Sequence, residues 1–185
     1  GKTTICQMME NEGVPVYYSD VHAKKLMNQN ESLINSIKER FGKESYYDGM
    51  LNRKWIASIV FDDATALNDL NNLVHPVVQK DYLNWLSQQT KDIVAYESAI
   101  LIEHGNQGNF DFVILVQCPE KIRSVRIQKR DGLTLDEVQA RTRFQLQEEE
   151  KIKYADYLIE NTSLEEAKQQ LSTVISSIRK KLQKD

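Results

Sequence analysis

The sequence predicts an α/β fold, because short β-rich runs alternate along the chain with longer segments of helical periodicity. The clearest strand is the run from Phe112 to Val116, whose near-continuous apolarity is typical of a parallel strand buried on both faces. Helical segments separate the successive strands, so the sequence implies a parallel sheet with right-handed crossovers.

Turn residues and periodicity place the other elements of this core. A helix is predicted from Ile5 to Glu12, with Gly13 at the position that follows a helix C-cap. Pro119 can open a later helix, since proline is tolerated in the first turn. An amphipathic helix from Leu164 to Leu182 closes the chain. Strands are predicted at 14–18, 92–96, 110–117 and 157–159.

The middle of the chain, from Asn28 to about Gln89, is predicted to be helical throughout, without a convincing strand. Tyr47-Asp48-Gly49 forms a turn, after which Asn52 caps a new helix. Pro76 lacks a backbone N–H and should kink or restart the long helix in which it lies. We therefore expect a helical subdomain inserted into the α/β core.

Composition excludes several classes of protein. The 185 residues are 41% hydrophobic and 28% charged, as in an ordinary globular protein, and the net charge of -3 argues against non-specific nucleic-acid binding. No apolar run is long enough for a membrane span, and no secretion leader is visible. Cys6 and Cys118 are far apart in apolar surroundings, which predicts reduced thiols in a cytoplasmic protein. For the oligomeric state we favour a monomer. The three histidines show no zinc spacing.

The first residues, Gly1-Lys2-Thr3-Thr4, match the second half of a phosphate-binding loop, whose full pattern is G-x-x-x-x-G-K-[ST]. Glycine allows close approach of the backbone to a phosphate, and the helix N-terminus directs N–H groups at the anion. The alternative interpretation is an ordinary helix start. We expect the rest of the loop, and a strand at the centre of the sheet, to precede Gly1.

Charged residues at strand ends and on one helix face are further candidates. Asp20 follows the predicted strand 14–18, where open α/β sheets place ligand-binding groups, but it can equally be the N-cap of a helix beginning at Val21. Arginines at spacings of three and four share a helix face, which is either solvated or functional; they are Arg123, Arg126 and Arg130. A Thr134-to-Glu137 capping box then opens a helix carrying Arg141, Arg143 and Gln145.

This ordered set of motifs resembles the dephospho-coenzyme A kinase family over nearly the whole chain. Gly1-Lys2-Thr3-Thr4 is similar to the end of the family's GxxGSGKS/T loop, and the segment from Val14 to Asp20 resembles its "VPVxDAD", with Asp20 at the second aspartate. Further matches are Arg40-Phe41-Gly42, Asp48-Gly49-Met50-Leu51-Asn52-Arg53, Leu73-Val74-His75-Pro76, Arg126 with Arg130-Asp131-Gly132, Arg141 with Gln145, Ala155-Asp156 and Ile159-Glu160-Asn161.

Three positions depart from the family pattern. Asn52 replaces the usual aspartate, Tyr18 replaces the first aspartate of "DAD", and Ala99 replaces the proline of "DVPLLFE". Glu97 keeps a carboxylate at the aspartate position of that last segment, and we expect it to contact the substrate.

The resemblance implies a P-loop NTPase fold, a three-layer α/β/α arrangement with a parallel sheet. It implies core segments at 1–27, 91–130 and 155–185, a helical insertion at 28–90 that binds the CoA substrate, and a small helical lid at 131–154. The implied reaction is transfer of the γ-phosphoryl group of ATP, with Mg²⁺, to the ribose 3′-hydroxyl of dephospho-CoA.

The resemblance also implies roles for individual residues. Lys2 would hold the ATP phosphates together with Gly1, Thr3 and Thr4, and Thr3 would bind Mg²⁺. Asp20 would orient or deprotonate the attacking hydroxyl, while Arg126 and Arg141 would stabilise charge on the transferring group. Asn161 would contact the adenine of ATP. His75 would line the substrate pocket or pack the helices. Arg130 would either join Arg126 and Arg141 in stabilising charge or form only a structural ion pair.

Two other functions are consistent with the same residues. One is another small-molecule P-loop kinase, such as a nucleoside monophosphate or shikimate kinase, although the long insertion with His75-Pro76 argues against it. The other is a nucleotide-binding regulator without catalytic activity, against which Asp20 and the lid arginines argue.

Overall fold

The computed structural model describes residues 1–61, 63–131 and 146–183. The elements along the chain are α1 (Lys2–Asn11), β1 (Val16–Tyr18), α2 (Ser19–Gln29), α3 (Glu31–Phe41), β2 (Tyr46–Tyr47), β3 (Met50–Leu51), α4 (Arg53–Val60), α5 (Ala64–Leu86), β4 (Ala95–Glu97), β5 (Ile114–Gln117), α6 (Glu120–Asp131), α7 (Glu148–Ile152), β6 (Tyr157–Glu160) and α8 (Leu164–Leu182). Two short 3₁₀ helices lie at Lys43–Ser45 and Asn106–Asn109. The chain divides into two compact units, Gly1–Val14 with Ala99–Asp185, and Pro15–Ser98.

Parallel strand pairing confirms the predicted α/β class in both units. In the second unit β1 pairs with β4, with Val16 opposite Ala95 and Tyr18 opposite Glu97. In the first unit β5 pairs with β6 over four residues, from Ile114 opposite Tyr157 onward. The predicted strands were two to four residues too long at their N-terminal ends, except β6, which was predicted almost in full.

Helices α2 to α5 build the core of the second unit. On α3, Leu33, Ile37 and Phe41 recur at intervals of four, so they lie on one face, and all three are buried. They pack in a cluster whose other buried members are Tyr17, Ile56, Ala66, Val74 and Val78. Burial of this stripe explains why the region is so strongly helical despite its polar outer face.

The predicted turn at 47–49 is present, but it joins two strands that the sequence had not indicated. Strands β2 and β3 form an antiparallel hairpin in which Tyr46 faces Leu51 and Tyr47 faces Met50. Asp48 and Gly49 both have positive φ, +49° and +75°, as a two-residue hairpin turn that follows the strand twist requires. The expectation that this region lacks strands was therefore wrong at this hairpin.

Helix α5 continues through Pro76, so the predicted restart does not occur. Asp63 caps the helix by accepting from the N–H groups of Thr65 and Ala66. Val74 and Val78, on either side of the proline, are buried in the core of the second unit. Packing of this face stabilises the helix against the loss of one backbone hydrogen bond. The predicted cap of α4 is confirmed, since the side chain of Asn52 accepts from the N–H of Trp55.

Helix α8 is the main packing element of the first unit, with the bounds that its periodicity predicted. Its buried face comprises Ala167, Leu171, Val174, Ile175 and Ile178, and it packs on α1 and β6. Cys6 and Cys118 are both buried, with no disulfide between them. Each residue of β5 is partly buried, and within the described residues β5 pairs with β6. The predicted burial on both faces is therefore incomplete in the part of the chain that the structure describes.

No helix in the described ranges is both long and apolar enough to cross a membrane.

Candidate active site

The candidate phosphate-binding residues form the first turn of α1. Gly1 is the N-cap residue, and its carbonyl oxygen accepts from the N–H of Ile5 at 3.2 Å. No side chain caps this end of the helix, and its first turn contains no acidic residue. The N–H groups of Lys2, Thr3 and Thr4 lack intrahelical acceptors at such positions, and the helix dipole adds positive potential. This end of α1 is therefore suited to an anion.

Asn161 is the residue that the structure brings closest to this helix start. It follows β6 directly, its side chain is only 1% exposed, and its amide donates to the carbonyl oxygen of Gly1 at 3.2 Å. A Cβ atom at Gly1 would lie 2.5 Å from Asn161 Nδ2. Because Asn161 is buried and held by its backbone N–H to Gln117 O at 2.8 Å, only glycine fits opposite it without displacement.

Arg126 on α6 extends the same contact set. Its Nη1 donates to the carbonyl oxygen of Asn161 at 2.7 Å, and its Nη2 donates to the carbonyl oxygen of Thr162 at 2.9 Å. Nη1 also lies 3.4 Å from Asn161 Oδ1 and 3.6 Å from the Cys118 thiol. None of these partners carries a negative charge. They therefore do not neutralise the guanidinium, whose positive charge can act on an anionic ligand. The structure thus brings Gly1, Asn161 and Arg126 together.

The other arginines of this face differ in their contacts. Arg123 forms an ion pair with Glu148 of α7, with Nη1 2.7 Å from Oε1. The solvated-face interpretation is not overturned, since Arg126 is exposed and the side chains of Arg123 and Glu148 are 35% and 38% exposed. The side chain of Arg130 lies outside the described residues, as does Arg141, together with the capping box at 134–137 and residues Arg143 and Gln145.

Two carboxylates lie at the C-terminal edge of the β1–β4 pair in the second unit. Helix α2 begins at Ser19 with Tyr18 as its N-cap residue, so Asp20 lies in the first turn and is exposed. The interpretation of Asp20 as the N-cap of a helix starting at Val21 was therefore wrong. Glu97 ends β4 opposite Tyr18. Since parallel strands end at the same edge of a sheet, Asp20 and Glu97 share that edge.

The phenol of Tyr96 reports the proximity of these two carboxylates. Burial is the largest cause that raises its pKa, and the negative charges of Asp20 and Glu97 raise it further. A hydrogen bond with Ser19 acts in the opposite direction. Both carboxylates thus act on one phenol at the end of β1 and β4.

His75, the third predicted substrate residue, is partly buried on α5 between Val74 and Val78.

The sequence interpretation missed a polar network that surrounds the Asp20 segment. Asp81 Oδ2 accepts from Tyr17 Oη at 2.7 Å and lies 2.7 Å from His22 Nδ1. The Tyr17 ring stacks on His22, with ring centroids 4.0 Å apart, and on Tyr96 at 5.4 Å. The available signal was a single acidic residue, Asp81, within a helix face otherwise formed by apolar and aromatic residues.

Comparison with known proteins identifies the family. The family model described as CoaE, dephospho-CoA kinase, matches residues 1–166. The dephospho-CoA kinase of Salinibacter ruber is 36% identical over 166 residues, 87% of this chain and 83% of that relative. The dephospho-CoA kinase of Porphyromonas gingivalis is 32% identical over 182 residues, 98% of this chain and 90% of that relative.

Solved structures agree with the sequence comparisons. The crystal structure of TT1252 from Thermus thermophilus has a TM-score of 0.84 and 32% identity, and the match covers 96% of this chain and 91% of that one. Dephospho-CoA kinase from Campylobacter jejuni has a TM-score of 0.68 and 29% identity, covering 97% and 92%. The motifs at Gly1–Thr4 and Asp20, the contacts of Arg126 with Asn161, and these matches lead to one conclusion: the chain belongs to the dephospho-CoA kinase family.

Proposed function

We propose that this chain transfers the γ-phosphoryl group of ATP to the ribose 3′-hydroxyl of dephospho-CoA, giving coenzyme A and ADP in the last step of CoA biosynthesis. The observation that carries the proposal is the family match over residues 1–166. A helix start of the phosphate-binding type at Gly1–Thr4 supports it.

The ATP phosphates would bind at the first turn of α1. Lys2 would place its ammonium against the phosphate oxygens, and the N–H groups of this turn would donate to them. Arg126 would add a guanidinium charge, since its partners are neutral oxygens and a thiol. Asn161 would hold Gly1 in place. Asn161 would also contact adenine through its second amide N–H or its side-chain oxygen, since one N–H already donates to the carbonyl oxygen of Gly1.

Mg²⁺ would be held by the Thr3 hydroxyl together with oxygens of the ATP phosphates. Thr3 is exposed in the first turn of α1, where its hydroxyl is accessible to a ligand. Among the described residues there is no group of three or more His, Cys, Asp or Glu side chains that could hold a metal. A threonine hydroxyl at the end of a phosphate-binding loop, with phosphate oxygens of the nucleotide, is a donor set that suits Mg²⁺.

The acceptor hydroxyl would be positioned by Asp20. The oxygen of the acceptor hydroxyl attacks the γ-phosphorus, and the bond from that phosphorus to the β–γ bridging oxygen breaks. The hydroxyl proton passes to the Asp20 carboxylate. Glu97, at the same sheet edge, would bind a polar group of the substrate. His75 would line the substrate pocket within the helical insertion at 28–90, and Arg141 would act from a lid at 131–154.

The cysteines support a cytoplasmic location for this reaction. Both cysteines are buried and neither forms a disulfide, which is the state expected in a reducing compartment.

An acceptor competition assay tests the proposed function. The full chain is incubated with ATP, Mg²⁺ and dephospho-CoA, nucleoside monophosphates or shikimate, and products are identified by mass spectrometry. We expect a mass increase of one phosphate on dephospho-CoA alone, absent in Lys2→Ala. Phosphorylation of a nucleoside monophosphate without any of dephospho-CoA would assign the chain to the other kinases. ATP binding without transfer to any acceptor would identify a regulator.

A further inference from the structure

One carboxylate oxygen holds the chain on both sides of Asp20. Asp81 Oδ2, on α5, accepts from Tyr17 Oη at 2.7 Å and lies 2.7 Å from His22 Nδ1. Tyr17 precedes Asp20 by three residues and belongs to β1, whereas His22 follows Asp20 by two residues on α2. The β1–α2 corner that carries Asp20 is therefore tied at both ends to the same atom.

Each arm of this contact is fixed in its donor role. Tyr17 is 0% exposed, and both burial and Asp81 raise the pKa of its phenol, so the hydroxyl stays protonated and donates. A carboxylate only accepts, so His22 presents an N–H at Nδ1, as the neutral tautomer or as the imidazolium. Stacking of the two rings, tilted by 27° with centroids 4.0 Å apart, keeps both donors directed at Asp81.

We propose that Asp81 is a positioning residue for phosphoryl transfer, acting through Tyr17 and His22 on the orientation of Asp20. This inference rests on the proposed function, in which Asp20 orients or deprotonates the acceptor hydroxyl. The Asp20 side chain itself is exposed, so its placement depends on the backbone on either side of it. An error of about 1 Å in the position of a reacting group costs roughly 10²-fold in rate.

Helix α5 offers a matched control for this role. Asp69 also accepts through Oδ2 at 2.7 Å, from Arg40 Nε of α3, and its side chain is 35% exposed against 31% for Asp81. Asp69 therefore joins two helices as Asp81 does, but its partner lies far from Asp20 in the sequence. If Asp81 only stabilised the fold, its substitution should resemble that of Asp69.

Steady-state kinetics of Asp81→Asn and Asp69→Asn test the proposal. We expect Asp81→Asn to lower kcat by about 10- to 100-fold, with the KM for ATP within about twofold of wild type. Asp69→Asn should leave kcat within about twofold. His22→Ala, which removes one arm at a partly exposed position, should lower kcat in the same direction and serves if Asp81→Asn does not fold. Equal kcat values for the Asp81 and Asp69 variants would overturn the proposal.

A double-variant cycle separates action through Asp20 from a general effect. In an Asp20→Asn background, adding Asp81→Asn should lower kcat no further, because the group that Asp81 positions is already absent. Full additivity of the two losses would overturn the proposal.

Hydrogen exchange gives a readout that does not depend on the reaction. Amides of residues 22–24, in the first half of α2, should exchange faster in Asp81→Asn than in wild type. Their exchange rates should be unchanged in Asp69→Asn. If the wild-type chain makes no coenzyme A, the proposed function fails, and exchange still decides whether Asp81 holds the Asp20 segment. Unchanged exchange rates in Asp81→Asn would overturn the inference about Asp81 and leave the proposed function unaffected.

Discussion

The side-chain amide of Asn161 donates to the carbonyl oxygen of Gly1 at 3.2 Å and joins the end of β6 to the first residue of α1. Arg126 donates to the carbonyl oxygen of the same asparagine. Asn161 therefore contacts both a cation of α6 and the start of α1. The proposed phosphate site is therefore assembled by side chains that donate to backbone carbonyl oxygens of neighbouring elements. Its geometry depends on packing as much as on charge.

The pairing of Gly1 with Asn161 predicts a compensating pair of substitutions. Gly1→Ala places a Cβ against the buried amide and should weaken ATP binding by about tenfold or more, because either the loop or Asn161 must shift. Asn161→Ala should also weaken binding, and it should lower the free energy of unfolding by about 1–3 kcal/mol through lost hydrogen bonds. Calorimetric titration with ATP measures the binding of each variant, and chemical denaturation measures the free energy of unfolding.

The double variant is the decisive member of this set. With the amide absent, the alanine at position 1 has room, so Gly1→Ala should cost less in Asn161→Ala than in wild type. Strictly additive losses would show that the two residues do not share this contact.

Arg126 should be far more sensitive to substitution than Arg123. Arg126→Lys removes the planar fork that spans the carbonyl oxygens of Asn161 and Thr162, and we expect kcat to fall by about 10- to 100-fold. Arg123→Lys retains a cation opposite Glu148 in a partly exposed ion pair, and kcat should stay within about twofold. Similar losses in both variants would argue that α6 serves the reaction only through its stability.

Asp20→Asn should lower kcat by about 10²- to 10⁴-fold, the range expected when a general base is removed. The amide preserves shape and position in the first turn of α2 but cannot accept the hydroxyl proton. Asp48→Asn, in the hairpin turn of the same unit, is the control, since asparagine tolerates its φ of +49°. Turnover that is essentially unchanged in Asp20→Asn, with Lys2→Ala inactive, would remove Asp20 from the role of base.

The sequence predicted elements whose signals are local. The turn at Asp48-Gly49, the cap at Asn52 and the whole of α8 each depend on residues a few positions apart, and all three are present. The ordered set of motifs, from Gly1–Thr4 and Asp20 to Ile159-Glu160-Asn161, was sufficient for the family, which the comparisons confirm.

Contacts between distant residues were beyond the reach of local patterns. Asp81 lies 64 positions from Tyr17, and Arg126 lies 35 positions from Asn161, so neither network leaves a periodic trace. The start of α2 was misplaced for a related reason: Ser19 and Asp20 both have cap propensity, and only the pairing of β1 with β4 fixes where the strand ends.

Thr3 and Thr4 should differ in their effect on the Mg²⁺ requirement. Thr3→Val removes the hydroxyl proposed as a metal ligand while keeping the branched shape, so the Mg²⁺ concentration for half-maximal rate should rise by about tenfold or more. Thr4→Val, one residue along the same helix, should leave that concentration within about twofold. The test is a Mg²⁺ titration at saturating ATP, and an equal shift in both variants would contradict the assignment of Thr3.

Alkaline stability should report the buried phenol of Tyr46. Burial raises the pKa of Tyr46 to about 12, from the ordinary value of 10.0, and its hydroxyl donates to the carbonyl oxygen of Met27 at 2.6 Å. The folded state therefore keeps a proton that the unfolded chain loses near pH 10. Stability from this group is full below pH 10 and falls as the pH rises towards 12, by up to about 1.4 kcal/mol per pH unit.

Chemical denaturation of wild type and Tyr46→Phe from pH 8 to 12 measures this effect. Wild type should be more stable by about 1 kcal/mol at pH 8, because of the hydrogen bond to Met27, and the two curves should converge as the pH passes 10. Tyr17 and Tyr96, whose pKa values burial also raises, leave a residual slope in the variant. Tyr47→Phe, at the neighbouring position with a ring that is 80% exposed, should keep the wild-type slope. Parallel curves for wild type and Tyr46→Phe would show that Tyr46 ionises alike in the folded and unfolded chains.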